Sequence, residues 1–234
     1  MGQVSDEELQ RVIADFLDMG HVENIVAMFR REPRCYDWTG EILADRRFAV
    51  RLGVSILFEE LKRLQPDAVA LQEVIQRRNV RNQAQWLASQ LGYKHVFVST
   101  DAVGAPKRYG NALLTRRPIL AQGDHLLQPL DDYRTVAHLR IDVDGTPVNV
   151  YATHLNERSD ESGQRIRRSQ VEDLLRFISA TSAGAPVVIA GDFNALVDAG
   201  DLSELRSHYG DSYGSVHVNT DLSGVSTLNR HYYQ

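Results

Sequence analysis

The sequence lacks the features of a secreted or membrane protein. Cys35 is its only cysteine, so no intrachain disulfide can form, and a reducing compartment is the simplest location. No apolar run approaches the ~18 to 20 residues of a membrane span. The N-terminus, MGQVSDEELQ, has no apolar stretch after a basic flank, and Asp6 stands where myristoylation needs serine or threonine. These absences predict a soluble, cytoplasmic protein.

A net positive charge is also lacking, because 26 Lys and Arg residues stand against 31 Asp and Glu residues and the formal net charge is −5. The chain therefore has no global attraction for nucleic acid or anionic lipid. Its basic residues are nevertheless clustered, as Arg77, Arg78 and Arg81; Lys107 and Arg108; Arg116 and Arg117; and Arg165, Arg167 and Arg168. A local basic rim can guide a polyanion when the total charge is acidic. The alternative is that each cluster is ordinary solvated surface.

Residues 1–64 carry helical signals throughout. Ser5 and Glu8 form a capping box, and the apolar residues from Leu9 onward recur at helical spacing. The phrase DRRFAVRLGVSILFEEL resembles one unit of a HEAT-type helical repeat. We expect a small all-helical domain over 1–64, which either contacts a protein partner or serves as a structural support.

From Gln65 the pattern changes to alternating strands and helices. Apolar runs predict strands at 68–74, 94–100, 111–115, 135–143, 148–155 and 186–190, and helical periodicity predicts helices at 80–91 and 165–180. Asp144-Gly145 is a hairpin turn signal. This alternation predicts an α/β fold, a layered α/β sandwich, over 65–234.

Polar side chains stand at the ends of three predicted strands. Glu73 ends one strand, His154 and Asn156 end a second, and Asp192 and Asn194 end a third. Residues two apart on a strand point to the same side about 6.6 Å apart, and neighbouring strands lie about 4.8 Å apart. If the strands are adjacent, these side chains share one small volume.

The chemistry of this set favours a hard metal ion. Glu73 and Asp192 repel each other unless a proton or cation lies between them. Oxygen ligands without a thiolate favour Mg²⁺ or Mn²⁺ over zinc, and such a site suits metal-assisted hydrolysis of a phosphate ester. Each residue also has a structural alternative: Glu73 as a helix cap, His154 as a hydrogen-bonded core histidine, and Asp192 to Asn194 as an Asx turn.

Four segments in this order, LQEV, YGNALLTRRPI, YATHL and VVIAGDFNA, resemble the endonuclease/exonuclease/phosphatase superfamily. That superfamily includes deoxyribonuclease, abasic-site endonucleases, inositol polyphosphate 5-phosphatases and neutral sphingomyelinases. The resemblance implies a deoxyribonuclease-like fold in which Glu73 binds the metal with Asp192 beside it. Asp192 would be the base or the water-orienting group as well as a second metal ligand, Asn194 would hold the scissile phosphate, and His154 would stabilise the transition state. Asn111 falls in a motif near the substrate cleft and, with Asn156, is a candidate substrate ligand.

The sequence departs from the superfamily pattern at both ends. Members usually open with a strand carrying asparagine near tryptophan, whereas Trp38 is followed here by Thr39. Members also end with a strand bearing an Asp-His pair, whereas this chain ends STLNRHYYQ, and His231 has no adjoining aspartate. We therefore expect an incomplete domain, truncated at the C-terminus.

Three functions remain open from the sequence. The first is a Mg²⁺- or Mn²⁺-dependent phosphoesterase, with a nuclease favoured by the arginine clusters and a nucleic acid as the expected partner. Inositol phosphates and phospholipids are alternative substrates. The second is a catalytically inactive relative that binds a polyanion or a protein. The third is a helical-repeat interaction protein with a vestigial α/β part.

Overall fold

The computed structural model describes Phe58 and residues 61–78, 81–130, 134–196, 199–212 and 215. The chain divides into two units, residues 1–65 with 226–234 and residues 66–225. In the first unit Phe58 and residues 61–64 are helical. The rest of the predicted helical segment, with most of its HEAT-like unit, and the C-terminal STLNRHYYQ lie outside the described residues. The predicted domains 1–64 and 65–234 therefore stay predictions.

The second unit is built from seven strands and three helices, with one 3-10 turn, in the part that the structure describes. They are β1 (Ala68–Arg77), α1 (Gln83–Leu91), β2 (Lys94–Ser99), β3 (Lys107–Thr115), β4 (Ile119–Leu126), β5 (Thr135–Val143), β6 (Thr146–His154), α2 (Glu161–Thr181), β7 (Val187–Asp192), a 3-10 turn (Gly200–Leu202) and α3 (Ser203–His208). Each strand and helix predicted after Gln65 corresponds to one of these elements. β4, the 3-10 turn and α3 were not predicted from the sequence.

The strands form two sheets, one ordered β1-β3-β2 and the other β4-β5-β6-β7. The predicted hairpin at Asp144-Gly145 joins β5 to β6, where Val143 pairs with Thr146. β6 and β7 run parallel, joined by α2. One apolar core lies between the sheets, and a second lies under α2, where Val171, Leu174 and Ile178 are buried. The layered α/β sandwich is confirmed.

The apolar layer between the sheets ends in polar residues at one end of the sandwich. Leu113 on β3 and Ala152 on β6 belong to this layer. Two residues along each strand, on the same face, stand Asn111 and His154, which are buried at 1% and 3% exposure. Thr135, at the start of β5, is fully buried beside them. Buried polar side chains need hydrogen-bond partners, and they are concentrated here at one end of the sandwich. This end is therefore the candidate location of a functional site.

Within the part of the chain that the structure describes, no helix combines the length and the apolar character that a membrane crossing needs. The cytoplasmic location stays a prediction.

The outer face of the second sheet contains a buried histidine that makes stability depend on pH. His138 is 2% exposed, stacks on Tyr151 at 4.4 Å between ring centroids, and lies 2.9 Å from Asn149 Oδ1 through its Nε2. Burial lowers the pKa of His138 below its ordinary value of 6.5; the Asn149 hydrogen bond opposes this shift, and the charge of Arg140 adds to it. The folded protein therefore keeps this imidazole neutral.

We predict that the free energy of unfolding falls as the pH decreases through 6.5. Below that pH the unfolded chain binds a proton that folded His138 resists, so the loss approaches about 1.4 kcal/mol per pH unit until the folded pKa is reached. Urea unfolding between about pH 7 and about pH 5 measures this slope. His138→Gln should flatten it, whereas the exposed control His208→Gln should leave the contribution of His138 in place. An equal slope in wild type and His138→Gln contradicts the assignment.

Candidate active site

The ends of β6 and β7 bring His154 and Asp192 together. The two residues are paired in the parallel register, so their side chains lie on the same face. His154 Nε2 lies 3.8 Å from Asp192 Oδ2, which is longer than a direct hydrogen bond. The His154 side chain is 4% exposed, whereas that of Asp192 is 47% exposed. The Asp192 carboxylate is therefore accessible to solvent and to a substrate, whereas the His154 imidazole lies on its buried side.

Gly191 is required for this pairing. Its φ is 152°, and a Cβ atom there would lie 2.0 Å from the carbonyl oxygen of Thr153. Any side chain at this position would push β7 away from β6 immediately before Asp192. The glycine thus lets the parallel ladder continue to the His154–Asp192 pair.

A tight turn after β7 fixes Asp192 and Asn194. The Asp192 Oδ1 atom accepts a hydrogen bond from the backbone N–H of Asn194 at 2.8 Å. Asn194 has a positive φ of 48°, a conformation that asparagine tolerates better than most residues, and its Nδ2 donates to the Leu155 carbonyl at 2.9 Å. The Asx turn considered from the sequence is therefore present. It holds the Asp192 carboxylate beside His154, so the turn and a catalytic role are compatible.

Glu73 lies on an irregularity in β1. The register against β3 shifts between Leu71 and Val74, and Glu73 has a positive φ of 58°. The backbone N–H of Ile75 donates to the Gln83 Oε1 atom at 2.7 Å, so the start of α1 supports the bulge. A non-glycine residue in this region costs free energy, and such outliers cluster at functional sites. The bulge re-aims the Glu73 side chain relative to a regular strand.

The Glu73 carboxylate accepts a hydrogen bond from the Tyr109 hydroxyl. Burial raises the pKa of Tyr109 above its usual range, and the charge of Glu73 and this hydrogen bond raise it further. Tyr109 therefore stays protonated as a donor. Arg134 and Glu157 both act on Tyr109 electrostatically, and Arg134 Nη2 lies 3.2 Å from Glu157 Oε2. Glu157 lies three residues after His154. The interactions that run from Glu73 through Tyr109 and Arg134 to Glu157 therefore connect β1 to the loop after β6.

The two predicted substrate ligands, Asn111 and Asn156, are buried at 1% and 2% exposure. Asn111 Nδ2 donates to both the carbonyl and the hydroxyl of Thr135, at 3.0 and 2.9 Å, and so joins the two sheets. The Asn156 Oδ1 atom accepts from the backbone N–H of Arg158 at 2.9 Å. Both residues lie at the polar end of the sandwich, and their contact with substrate stays a prediction.

A buried arginine on α2 holds the loop after β6. Arg167 Nη1 donates to the carbonyls of Asn156 and Arg158, at 2.9 and 2.6 Å. Its Nε donates to Asp201 Oδ2 at 2.5 Å, and both side chains are at most 5% exposed. Gln170, one turn further along α2, accepts from the backbone N–H of Asn156 at 2.9 Å. This helix therefore fixes the loop that carries Glu157.

The donor set fits a magnesium-type ion better than zinc. Among the residues that the structure describes, no group of three or more His, Cys, Asp or Glu side chains is arranged to hold a metal. Zinc sites need three or four such ligands, whereas Mg²⁺ commonly takes one or two carboxylates and completes its shell with water and substrate phosphate. Glu73 and Asp192 are the carboxylates predicted from the sequence to bind such an ion, and their role as ligands stays a prediction.

Three residues of the site were not assigned from the sequence. Tyr109 begins the motif YGNALLTRRPI, which predicted no role for it. The sequence also predicted no role for Arg134 or Glu157. The available signals were weak: Arg134 directly precedes an apolar strand, and Glu157 lies three positions after His154. Neither spacing identifies a contact, because Arg134 and Glu157 meet only through the folding of β5 and β6.

These features define a layered α/β sandwich with acidic, histidine and asparagine side chains gathered at its strand ends. The sequence profile of the Endonuclease/Exonuclease/phosphatase family matches residues 50–233. The chain belongs to this family, whose members are phosphoester hydrolases. No match was found among curated proteins.

Solved structures share the fold. The human Nocturnin catalytic domain is 23% identical with a TM-score of 0.58, over 74% of this chain and 68% of that domain. A family protein from Leptotrichia buccalis is 19% identical with a TM-score of 0.54, over 66% of each chain. ANGEL2, a 2′,3′-cyclic phosphatase, is 20% identical with a TM-score of 0.51, over 75% of this chain and 55% of that one. The chain thus spans between 55% and 68% of the length of these structures.

Proposed function

We propose that this protein is a divalent-metal-dependent phosphoesterase that cleaves phosphodiester bonds, with a nucleic acid as the favoured substrate. The observation that carries the proposal is the pairing of solvent-accessible Asp192 with buried His154 at a separation of 3.8 Å. Family membership supports the reaction class, and members of the family commonly use divalent metals.

The roles follow from the surroundings of each side chain. Glu73 and Asp192 would hold Mg²⁺ or Mn²⁺, which supplies charge neutralisation to a phosphoryl group when bound. Asp192 orients or deprotonates the attacking water, because its carboxylate is fixed by the Asn194 N–H yet reaches solvent. His154 lies on the buried side of Asp192 and stabilises the oxyanion that develops on the phosphoryl group. Asn194 positions the phosphate from the same turn.

The preference for a nucleic acid rests on a basic extension of the first sheet. Arg77 of β1 lies directly opposite Lys107 of β3, and Arg108 lies one position further on. Such a local basic edge supports a polyanionic partner, because clustered positive charge can guide a polyanion even when the net charge is acidic. Arg108 Cζ also lies 5.2 Å from the centroid of the Phe97 ring. Its Nε and Nη1 atoms donate to the Asp101 carbonyl and to Gln76 Oε1, and these contacts fix the side chain at this edge. An extended phosphate backbone could follow this track from the Glu73 bulge.

An inactive relative that binds polyanions is the competing function. Hydrolysis of bis-p-nitrophenyl phosphate by the full chain, with Mg²⁺ or with EDTA, separates the two. The enzyme hypothesis expects turnover that EDTA abolishes and added metal restores. Polyanion binding without any turnover would support the inactive relative instead.

We predict that Glu73→Gln weakens Mg²⁺ binding by about ten-fold or more, because it removes a ligand charge with little change in volume. Calorimetric titration of Mg²⁺ into both proteins measures the effect. Glu172→Gln, at an exposed position on α2, is the matched control and should bind Mg²⁺ as wild type does. If Glu73→Gln titrates like this control, Glu73 is not a metal ligand.

A further inference from the structure

Arg134 is a buried cation at the edge of the candidate active site. The residue is 3% exposed, and it directly precedes β5. Its charge acts on the hydroxyl of Tyr109, which is hydrogen-bonded to Glu73. The guanidinium therefore acts on the same hydroxyl as the carboxylate that the proposed function assigns to the metal. A charge removed from water in this way needs hydrogen-bonded anionic partners to offset its desolvation.

The partners that the free protein provides for Arg134 are incomplete. Glu157 is its one ion-pair partner within the described residues, through Nη2 and Oε2 at 3.2 Å. That carboxylate is on a side chain that is 66% exposed, so most of its charge is screened by water. The Arg134 Nε atom is buried and has no hydrogen-bond partner in the part of the chain that the structure describes. Nε and the Nη atoms are the donors with which arginine grips carboxylates and phosphates in a bidentate manner.

A purely structural role accounts poorly for this arrangement. Arg167 shows what a structural buried arginine looks like in this fold: its Nε pairs with a buried carboxylate, and its Nη1 donates to two backbone carbonyls. Arg134 has the same burial, yet among residues 61–78, 81–130, 134–196 and 199–212 its Nε has no partner and its one ion-pair partner is exposed. Of the two arginines, only Arg134 has a donor that is buried and unused.

We propose that Arg134 is an oxyanion-binding subsite for a phosphoryl group, and that Glu157 occupies it in the free protein and is displaced when substrate binds. This inference rests on the proposed function only for the identity of the natural anion. The exposed Glu157 side chain can swing into solvent at little cost, whereas Arg134 is held by its surroundings. The bound phosphoryl group would supply the acceptor that Nε lacks.

Inorganic phosphate is the probe, used with metal-free protein in EDTA at fixed ionic strength. Binding is measured by calorimetry and by the rise in melting temperature with phosphate concentration. Glu157→Gln removes the competing carboxylate and should tighten phosphate binding by roughly two- to five-fold, the size of an exposed ion pair. Glu161→Gln is the matched control, because it removes a nearby exposed carboxylate that does not contact Arg134. It should leave phosphate affinity within about two-fold of wild type.

Arg134→Gln should weaken phosphate binding by about ten-fold or more, because charge-assisted contacts to the anion are lost. Arg134→Lys keeps the charge without the planar fork and should fall between the two. Urea unfolding checks that each variant is folded. If Arg134→Gln does not fold, the comparison of Glu157→Gln with Glu161→Gln tests the proposal by itself. The proposal is overturned if Glu157→Gln and Glu161→Gln bind phosphate equally, or if a folded Arg134→Gln binds it like wild type. These experiments measure phosphate binding and not turnover. A protein that binds phosphate at Arg134 but hydrolyses no phosphodiester would therefore contradict the proposed phosphoesterase function without contradicting the Arg134 subsite.

Discussion

Replacement of Asp192 by asparagine is expected to lower the rate of metal-dependent phosphodiester hydrolysis by about 10²- to 10⁴-fold, the range that general base assistance supplies. The substitution removes the charge that orients or deprotonates water. It keeps the Oδ1 acceptor for the Asn194 N–H, so the turn after β7 should persist. The side chain is half exposed, and the folded state should therefore lose little stability. Initial rates with bis-p-nitrophenyl phosphate under saturating Mg²⁺ measure the effect.

Asp124→Asn is a suitable control, because Asp124 is an exposed carboxylate on β4, at the opposite edge of the same sheet. It removes one negative charge, as Asp192→Asn does, and should retain the wild-type rate. Unchanged melting temperatures of both variants confirm that a difference in hydrolysis rate reflects catalysis and not a loss of folded protein. Equal rates for wild type and Asp192→Asn would remove Asp192 from the mechanism, whatever the metal dependence.

Apolar periodicity alone located most of the strands and helices of the fold. The predicted strand 135–143 agrees with β5 at both ends, and the predicted helix 165–180 lies inside α2. β4 was missed because its half-buried positions hold residues such as Ala121, Gly123 and His125, which give little hydrophobic signal. A Cβ atom at Gly123 would already touch the His138 and Phe177 side chains, at 3.5 and 3.6 Å, so a large apolar residue has no room there. A strand whose inner face is filled by its neighbours cannot be recognised from its own sequence.

The candidate site could be predicted only where a strand end shows its chemistry locally. The polar residues within YATHL and directly after VVIAG indicated His154 and Asp192, and parallel pairing of β6 with β7 does bring them together. The positive φ of Glu73 could not be predicted, because the bulge depends on Gln83 from α1 accepting the Ile75 N–H. Arg134 was missed for a related reason. Its burial and its pairing with Glu157 are products of tertiary structure, not of spacing.

Loss of the Arg167 side chain should have the largest effect on stability among the variants considered. Arg167→Met is expected to lower the free energy of unfolding by about 3 to 5 kcal/mol, because it leaves the Asp201 carboxylate buried without a counter-charge. The carbonyls of Asn156 and Arg158 also lose a donor. Urea unfolding measures the change. Arg165→Met, at a position 69% exposed with a Glu161 partner at 3.6 Å, should cost no more than about 1 kcal/mol. A similar small cost for Arg167→Met would contradict the packing described.

The double variant Arg167→Met with Asp201→Leu separates the ion pair from the loop contacts. Replacing both charges with apolar side chains removes the uncompensated carboxylate, so stability should recover in part. The two loop carbonyls would still lack the arginine donor, and the segment after β6 would be held less firmly. Because that segment begins with Leu155, whose carbonyl accepts the Asn194 side chain, a stable double variant should still lose hydrolytic rate. Recovery of stability together with full activity would show that α2 supports the fold without positioning the site.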